Sequence, residues 1–206
     1  MELLTTGITF FQKGGIVMYV LLLCSLFVFS IGIERAMYFR RMDSGRAFAR
    51  DFYLALANNK WQKAEQLADH ARGALADILF AVITKKPEAR KNPSAYMEIQ
   101  SGIALAKMRK RLYYLSVIVT MAPLLGLLGT ISGMIRAFSV LNVQSGQAVA
   151  ITGGVGEALI ATAFGLCVAV LALVVHSYFT QRLDRIITDM EMCFSALETM
   201  PVKAGQ

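Results

Sequence analysis

The sequence predicts an all-α integral membrane protein with three transmembrane helices and long cytoplasmic helical extensions. Three observations carry this. The 206 residues are 56% hydrophobic and only 17% charged, with a mean hydropathy of +0.53. That composition excludes a disordered chain and is unlike an ordinary soluble globule. Second, the apolar residues gather in three uncharged stretches, 14–33, 112–135 and 158–181. Each matches the roughly 20 helical residues that cross a hydrocarbon core about 30 Å thick. Third, the charges fall between those stretches. A net charge of +7 then reads as basic flanks on membrane spans rather than as a nucleic-acid surface.

The first stretch reads as a retained span. The competing reading is a cleaved leader. Against it, the segment 1–13 has Lys13 as its single basic residue, and Glu34-Arg35 follow the stretch with no small-x-small site. Lys and Arg near the span ends set the orientation. Arg35, Arg40, Arg41, Arg46 and Arg50 follow the first span; Lys107, Arg109, Lys110 and Arg111 precede the second; Arg182 and Arg185 follow the third. The other side offers Lys13 and Arg136, and the loop 139–154 has no charge. The chain therefore divides into a short outer N-terminus (1–13), a first span (14–34), a cytoplasmic helical region (35–111), a second span (112–138), an outer loop (139–154), a third span (155–181) and a cytoplasmic C-terminal helix and tail (182–206). Three aromatic pairs, Tyr38-Phe39, Tyr113-Tyr114 and Tyr178-Phe179, fall at the cytoplasmic ends, where aromatic residues favour the interface.

Within 35–111, residues 47–57 read as helix. A second helix is expected over 61–84, with Trp61, Ala64, Leu67, Ala68, Leu75, Ile78, Leu79 and Val82 on one face. Lys85-Lys86-Pro87 and Asn92-Pro93 break the pattern, and helix resumes at Ser94 toward the second span. After the third span, Leu183, Ile186, Ile187, Met190, Cys193, Phe194 and Leu197 keep helical spacing, so one helix is expected from Val155 to Thr199. There is no Gly-rich phosphate loop, and the residues point to no enzyme. His70 beside Asp69 reads as a solvated pair. The three cysteines lack metal-ligand spacing, so neither a metal nor a disulfide framework is expected.

The first span is bulky on every face and reads as lipid-facing. The other two carry stripes of small residues: Gly126, Gly129, Thr130, Gly133 and Ala137 on the second, and Ala158, Ala161, Thr162, Gly165, Ala169 and Ala172 on the third. Such stripes let backbones approach closely. They fit a tightly packed oligomer, and simple hairpin packing accounts for the glycines and alanines equally well. Thr130 and Thr162 lie near mid-membrane. A buried threonine either bonds back to its own helix or orders water in a narrow path. Glu157 is the one acid within or beside these two spans. Two readings stay open for it: a structural pair with Arg136, or a proton or ion site. His176 suits interfacial packing, and Pro123 permits a kink.

At these residues a resemblance becomes specific. Residues 122–135, APLLGLLGTISGMI, resemble the second-span motif of the MotA/TolQ/ExbB family, and residues 156–166, GEALIATAFGL, resemble its third-span motif. Order, separation and topology match too, most like the ExbB branch with TolQ next. The resemblance implies a proton-channel subunit of a bacterial inner-membrane energy-transducing complex, with a periplasmic N-terminus and a cytoplasmic C-terminus. It implies a homopentameric ring around the helices of a dimeric, single-span ExbD/TolR-type partner, whose aspartate accepts the proton. It implies pore-lining roles for Thr130 and Thr162, places Glu157 at the family's glutamate, and implies TonB-like or Tol partners that reach the outer membrane. Proton is the implied ion, with sodium left open; no cofactor is implied. Arg136 near the outer mouth departs from the expected pattern. Membrane lipids are further partners for the basic flanks. A non-transporting membrane scaffold explains the small stripes but not both motifs. A small-solute transporter lacks its inverted repeat and paired broken helices.

Overall fold

The computed structural model describes the backbone of residues 15–141 and 148–199. The side chains of Glu88, Arg90, Val140, Leu141, residues 148–153 and Glu157 lie outside the described set. The described residues are helical, with no strand among them. In chain order the helices are α1 (Gly15–Met42), α2 (Arg46–Ala57), α3 (Trp61–His70), α4 (Ala74–Ile83), α5 (Pro87–Arg90), α6 (Pro93–Arg109), α7 (Leu112–Leu141) and α8 (Ala148–Thr199). Three of them are long and apolar enough to cross a membrane. The N-terminal segment 1–13 lies outside the described residues. Helix enters the stretch 139–154 from both sides, leaving 142–147 outside them.

The chain forms two compact units: residues 1–32 with 113–177, and residues 33–112 with 178–206. In the first unit, Leu21 of α1, Ala122 of α7, and Val168 and Ala169 of α8 form a buried cluster. Val17, Cys24, Ile118, Leu125 and Phe164 pack around it. The lipid-facing expectation for every face of α1 needs correction. Met18, Leu21 and Val28 are buried, while Ile16, Leu23, Phe27 and Phe29 are exposed. An apolar face alone does not tell lipid from a neighbouring helix, because both are equally greasy.

The second unit has an ordinary core, with Phe39, Phe52, Leu56, Leu79, Met108 and Met190 fully buried. Helix α3 packs on α2 and α4, and α4 packs on α6. The turns follow local chemistry. Asn59 and Lys85 take positive φ just past the ends of α2 and α4. The amides of Asn59 and Lys60 bond to the carbonyls of Leu56 and Ala55, and those of Lys85 and Lys86 to Val82 and Ala81. Both are Schellman closures. Asn92 caps α6 by accepting from the Ala95 amide at 3.1 Å, and Pro93 fills the first helical position.

One sequence expectation changes here. The single helix over 61–84 is two helices, because Ala71 is extended and Gly73 sits at φ 121°. The helix resuming near Ser94 runs toward the second span as expected, with a turn at Lys110-Arg111 before α7 starts. Of the aromatic pairs, Phe39 and Phe179 are buried with ring centroids 5.3 Å apart. Those two rings serve the core; Tyr113, Tyr114 and Tyr178 remain exposed.

Candidate functional site

The two small-residue stripes face each other within one chain. A Cβ on Gly126 would lie 3.0 Å from Thr162 Cα and 3.1 Å from the Ala161 carbonyl oxygen. One on Gly129 would meet the Ala161 methyl at 2.6 Å, and one on Gly133 would meet the Ala158 methyl at 2.8 Å. From the other side, a Cβ on Gly165 would lie 2.7 Å from the Ala122 carbonyl oxygen. At these levels α7 and α8 approach as closely as glycine permits, which is the purpose of small residues in apolar helix pairs.

The two hydroxyls differ in use. Thr162 donates across the helix pair to the Gly126 carbonyl at 3.0 Å. Thr130 donates along its own helix to the Leu127 carbonyl at 2.7 Å. With its hydrogen placed on a carbonyl, each oxygen still has lone pairs to accept from water or an acid. Arg136 is exposed. Its Nε donates to the Ser132 carbonyl at 3.4 Å. A Cβ on Gly15, at the start of α1 with φ +68°, would lie 2.7 Å from one of its guanidinium nitrogens. Glu157 falls on the α8 backbone, but its side chain is outside the described residues, as is any pairing with Arg136. His176 is half-buried, and Pro123 lies inside α7.

A second polar cluster lies in the other unit and was missed by sequence reasoning. Asp43, Arg46, Arg182, Arg185 and Asp189 line a cavity of 340 Å³. Arg182 donates to Asp43 at 3.0 Å. Burial pushes the Asp189 carboxyl up, opposed by Arg46 and reinforced by Asp43. Burial, with Asp189 adding to it, pushes the Cys193 thiol up to about 12. The only sequence signal was the Asp43 and Arg182 charges, which lie far apart along the chain. Arg35 was read for topology alone, yet it is the one buried charged side chain among the described residues. His70 is exposed at the end of α3, its Nδ1 2.9 Å from the Gln66 carbonyl. No cluster of His, Cys, Asp and Glu fit for a metal occurs among the described residues.

The arrangement is a greasy, closely packed helix pair carrying two hydroxyls. Comparison with known proteins points the same way. The model of the MotA/TolQ/ExbB proton channel family matches residues 65–192. A putative biopolymer transport protein, ExbB-like 1 of Synechocystis sp., is 36% identical over 183 residues, covering 84% of this chain and 72% of that one. The biopolymer transport protein ExbB of Neisseria gonorrhoeae is 36% identical over 111 residues, 47% of this chain and 50% of its own. The Tol-Pal system protein TolQ of Pseudomonas aeruginosa is 33% identical over 107 residues, 47% and 45% of the two chains. The family match runs from α3 through the seam and into the charged end of α8, so the chain belongs to the MotA/TolQ/ExbB proton channel family, whose members are membrane channel and transport-associated subunits rather than enzymes.

Proposed function

We propose that this protein is the channel-forming subunit of a bacterial inner-membrane complex that uses proton motive force. On this reading five copies form a ring around a dimeric, single-span ExbD/TolR-type partner. The ring drives that partner, and a TonB-like protein carries the energy to outer-membrane transport. The N-terminus is periplasmic and the C-terminus cytoplasmic. The observation that carries the reading is the Thr162 hydroxyl, held at the Gly126 carbonyl in a seam with no space for a bulky side chain. Among the described residues the seam offers hydroxyls and carbonyls. A carboxylate supplied by a second protein would complete a proton relay with Thr162 and Thr130, and Glu157 is the candidate acid at the outer end. Arg136 stands near the outer mouth, where its charge would slow a bare cation unless Glu157 offsets it. Sodium fits the same hydroxyls less well, because it needs several oxygens converging on one point.

The TolQ relative supports a second reading, in which the same channel serves outer-membrane integrity. The two readings share a mechanism and differ in the partner. A scaffold without transport would use the seam for packing alone.

The test couples assembly to flux. The chain is co-expressed with a candidate single-span partner, extracted gently and weighed by native mass spectrometry, then reconstituted for proton uptake. Five copies with two partner chains and measurable uptake are expected. Thr162→Val should keep the assembly and lose most uptake, while Thr162→Ser should keep both. Lost hydrogen bonding to Gly126 alone costs roughly 0.6–1 kcal/mol in membrane helices, too little to dissolve the ring. An assembled Thr162→Val complex with normal uptake would remove Thr162 from the path. Wild-type complexes that never conduct would favour the scaffold.

A further inference from the structure

The cavity of 340 Å³ beside the link between α1 and α2 lies wholly within the second unit. Neither the channel motifs nor the proposed relay uses it. One wall is a single face of α8, where Tyr178, Arg182, Arg185 and Asp189 follow at three- and four-residue steps. The other wall brings Asp43, just past the end of α1, and Arg46, the first residue of α2.

Asp43 builds this site rather than competing for what enters it. Its Oδ1 accepts from the Gly45 amide at 2.9 Å, and its Oδ2 accepts from Arg182 Nε at 3.0 Å. Arg182 is thus held by Nε, and its two terminal nitrogens have no partner among the described residues. Arg46 and Arg185 are exposed, and among the described residues neither makes an ion pair. Three guanidiniums therefore meet two carboxylates. Asp43 offsets Arg182. Burial pushes the Asp189 carboxyl up, which weakens its hold on Arg46. At least one positive charge is left over, beside the Tyr178 hydroxyl and the Gln181 amide.

Several guanidinium forks around one space suit the tetrahedral oxygens of a phosphate, which takes paired N–H groups from each fork. The volume falls in the range of small-ligand sites, about 300–1,000 Å³, so there is room for an organic group on the phosphate. The sequence points to its kind. Arg182 and Arg185 come within four residues of the end of the apolar stretch 158–181, about 6 Å of helix. The headgroup layer of a bilayer is about 5–7 Å deep on each side. Tyr178 is an exposed lining residue, and its ring suits the boundary between headgroup and chain.

We propose that this cavity binds the phosphate of an acidic phospholipid, with Arg46, Arg182 and Arg185 as donors and Asp43 as the residue that positions Arg182. The site goes beyond the channel reading and does not rest on it.

The experiment is native mass spectrometry of the full chain in detergent, at about 0.15 M ammonium acetate, where distant charges are screened. Three probes are titrated. Dioleoylphosphatidylglycerol has chains and an anionic phosphate, dioleoylglycerol has the chains alone, and glycerol 3-phosphate has the phosphate alone. One phosphatidylglycerol per chain should bind most tightly, with glycerol 3-phosphate about a hundredfold weaker for want of the chains. Arg46→Gln and Arg185→Gln should each weaken phosphatidylglycerol by about tenfold, the loss of one charge-assisted contact. Arg41→Gln removes the same charge from the same basic flank but outside the cavity, and should cost about twofold or less. Asp189→Asn removes the carboxylate facing Arg46 and should tighten binding by about threefold, a gain that misfolding does not produce. Equal weakening in Arg41→Gln would reduce the effect to general attraction and overturn the site. So would unchanged binding in Arg46→Gln and Arg185→Gln, weaker binding in Asp189→Asn, or dioleoylglycerol binding as tightly as phosphatidylglycerol. Glycerol 3-phosphate binding as tightly as the lipid would make the ligand a soluble phosphate ester and overturn the lipid assignment. None of these outcomes depends on proton flux, so a complex that fails to conduct would sink the channel reading and leave this site standing.

Discussion

Gly165 shows what one missing methyl does in this seam. Its Cβ would lie 2.7 Å from the Ala122 carbonyl oxygen and 3.0 Å from Gly126 Cα. Both are main-chain atoms and cannot swing aside as a side chain would. Gly165→Ala should therefore push α7 and α8 apart, at about 1–3 kcal/mol, the usual cost of overpacking. Gly156 is the control, with nothing within 4 Å of its Cβ position; Gly156→Ala should be near neutral. Thermal unfolding in detergent distinguishes the two. The stripe itself was legible, because small residues every three or four positions need no structure to be seen. Which hydroxyl crosses the seam was not. Thr162 donates to α7 and Thr130 to its own helix, and the same residue type in the same pattern does both. Arg35 escaped notice for a related reason. Its carbonyl partners lie more than seventy residues away, beyond the reach of any local pattern.

At the scale of elements, the break between α3 and α4 shows how tertiary structure overrides periodicity. The apolar spacing from Trp61 to Val82 runs through His70–Gly73 without interruption. The break is set by the chain beside it. A Cβ on Gly73 would meet the Ser44 hydroxyl at 2.6 Å and the Met42 carbonyl at 2.7 Å, and the residue stands at φ 121°, where side chains are rarely tolerated. Gly73 has no side chain to cap α4. Ser44 does it instead, accepting from the Ala76 amide at 3.1 Å. Ser44→Ala should then behave as the loss of an N-cap and cost about 1 kcal/mol, although Ser44 lies 32 positions away. Faster exchange at the Ala76 amide, with α2 unchanged, is the measurement. By contrast, the end of α4 at Lys85 and the start of α6 at Asn92-Pro93 were legible, because breaker and cap chemistry is local.

At the scale of the molecule, the alternation of apolar and charged stretches predicts three spans, and three helices long and apolar enough to cross a membrane include those stretches. Assembly is less legible. The same exposed Leu, Ile and Val side chains suit lipid or a second copy, and composition does not separate the two. Orientation rests on the basic residues, and a protease can read it. In sealed inverted vesicles trypsin should cut within 35–111 and 182–206; in right-side-out vesicles those segments should be protected. The reverse pattern would invert the topology. The hydroxyls of Thr130 and Thr162 have a further consequence on the proposed reading. Each donates to a carbonyl and neither is an acid, so on that reading a ring made without its partner would lack the carboxylate that completes the relay and should not conduct. Cells that synthesise this chain in excess would keep their membrane charged, and no leak would accompany the imbalance until the partner supplied its carboxylate.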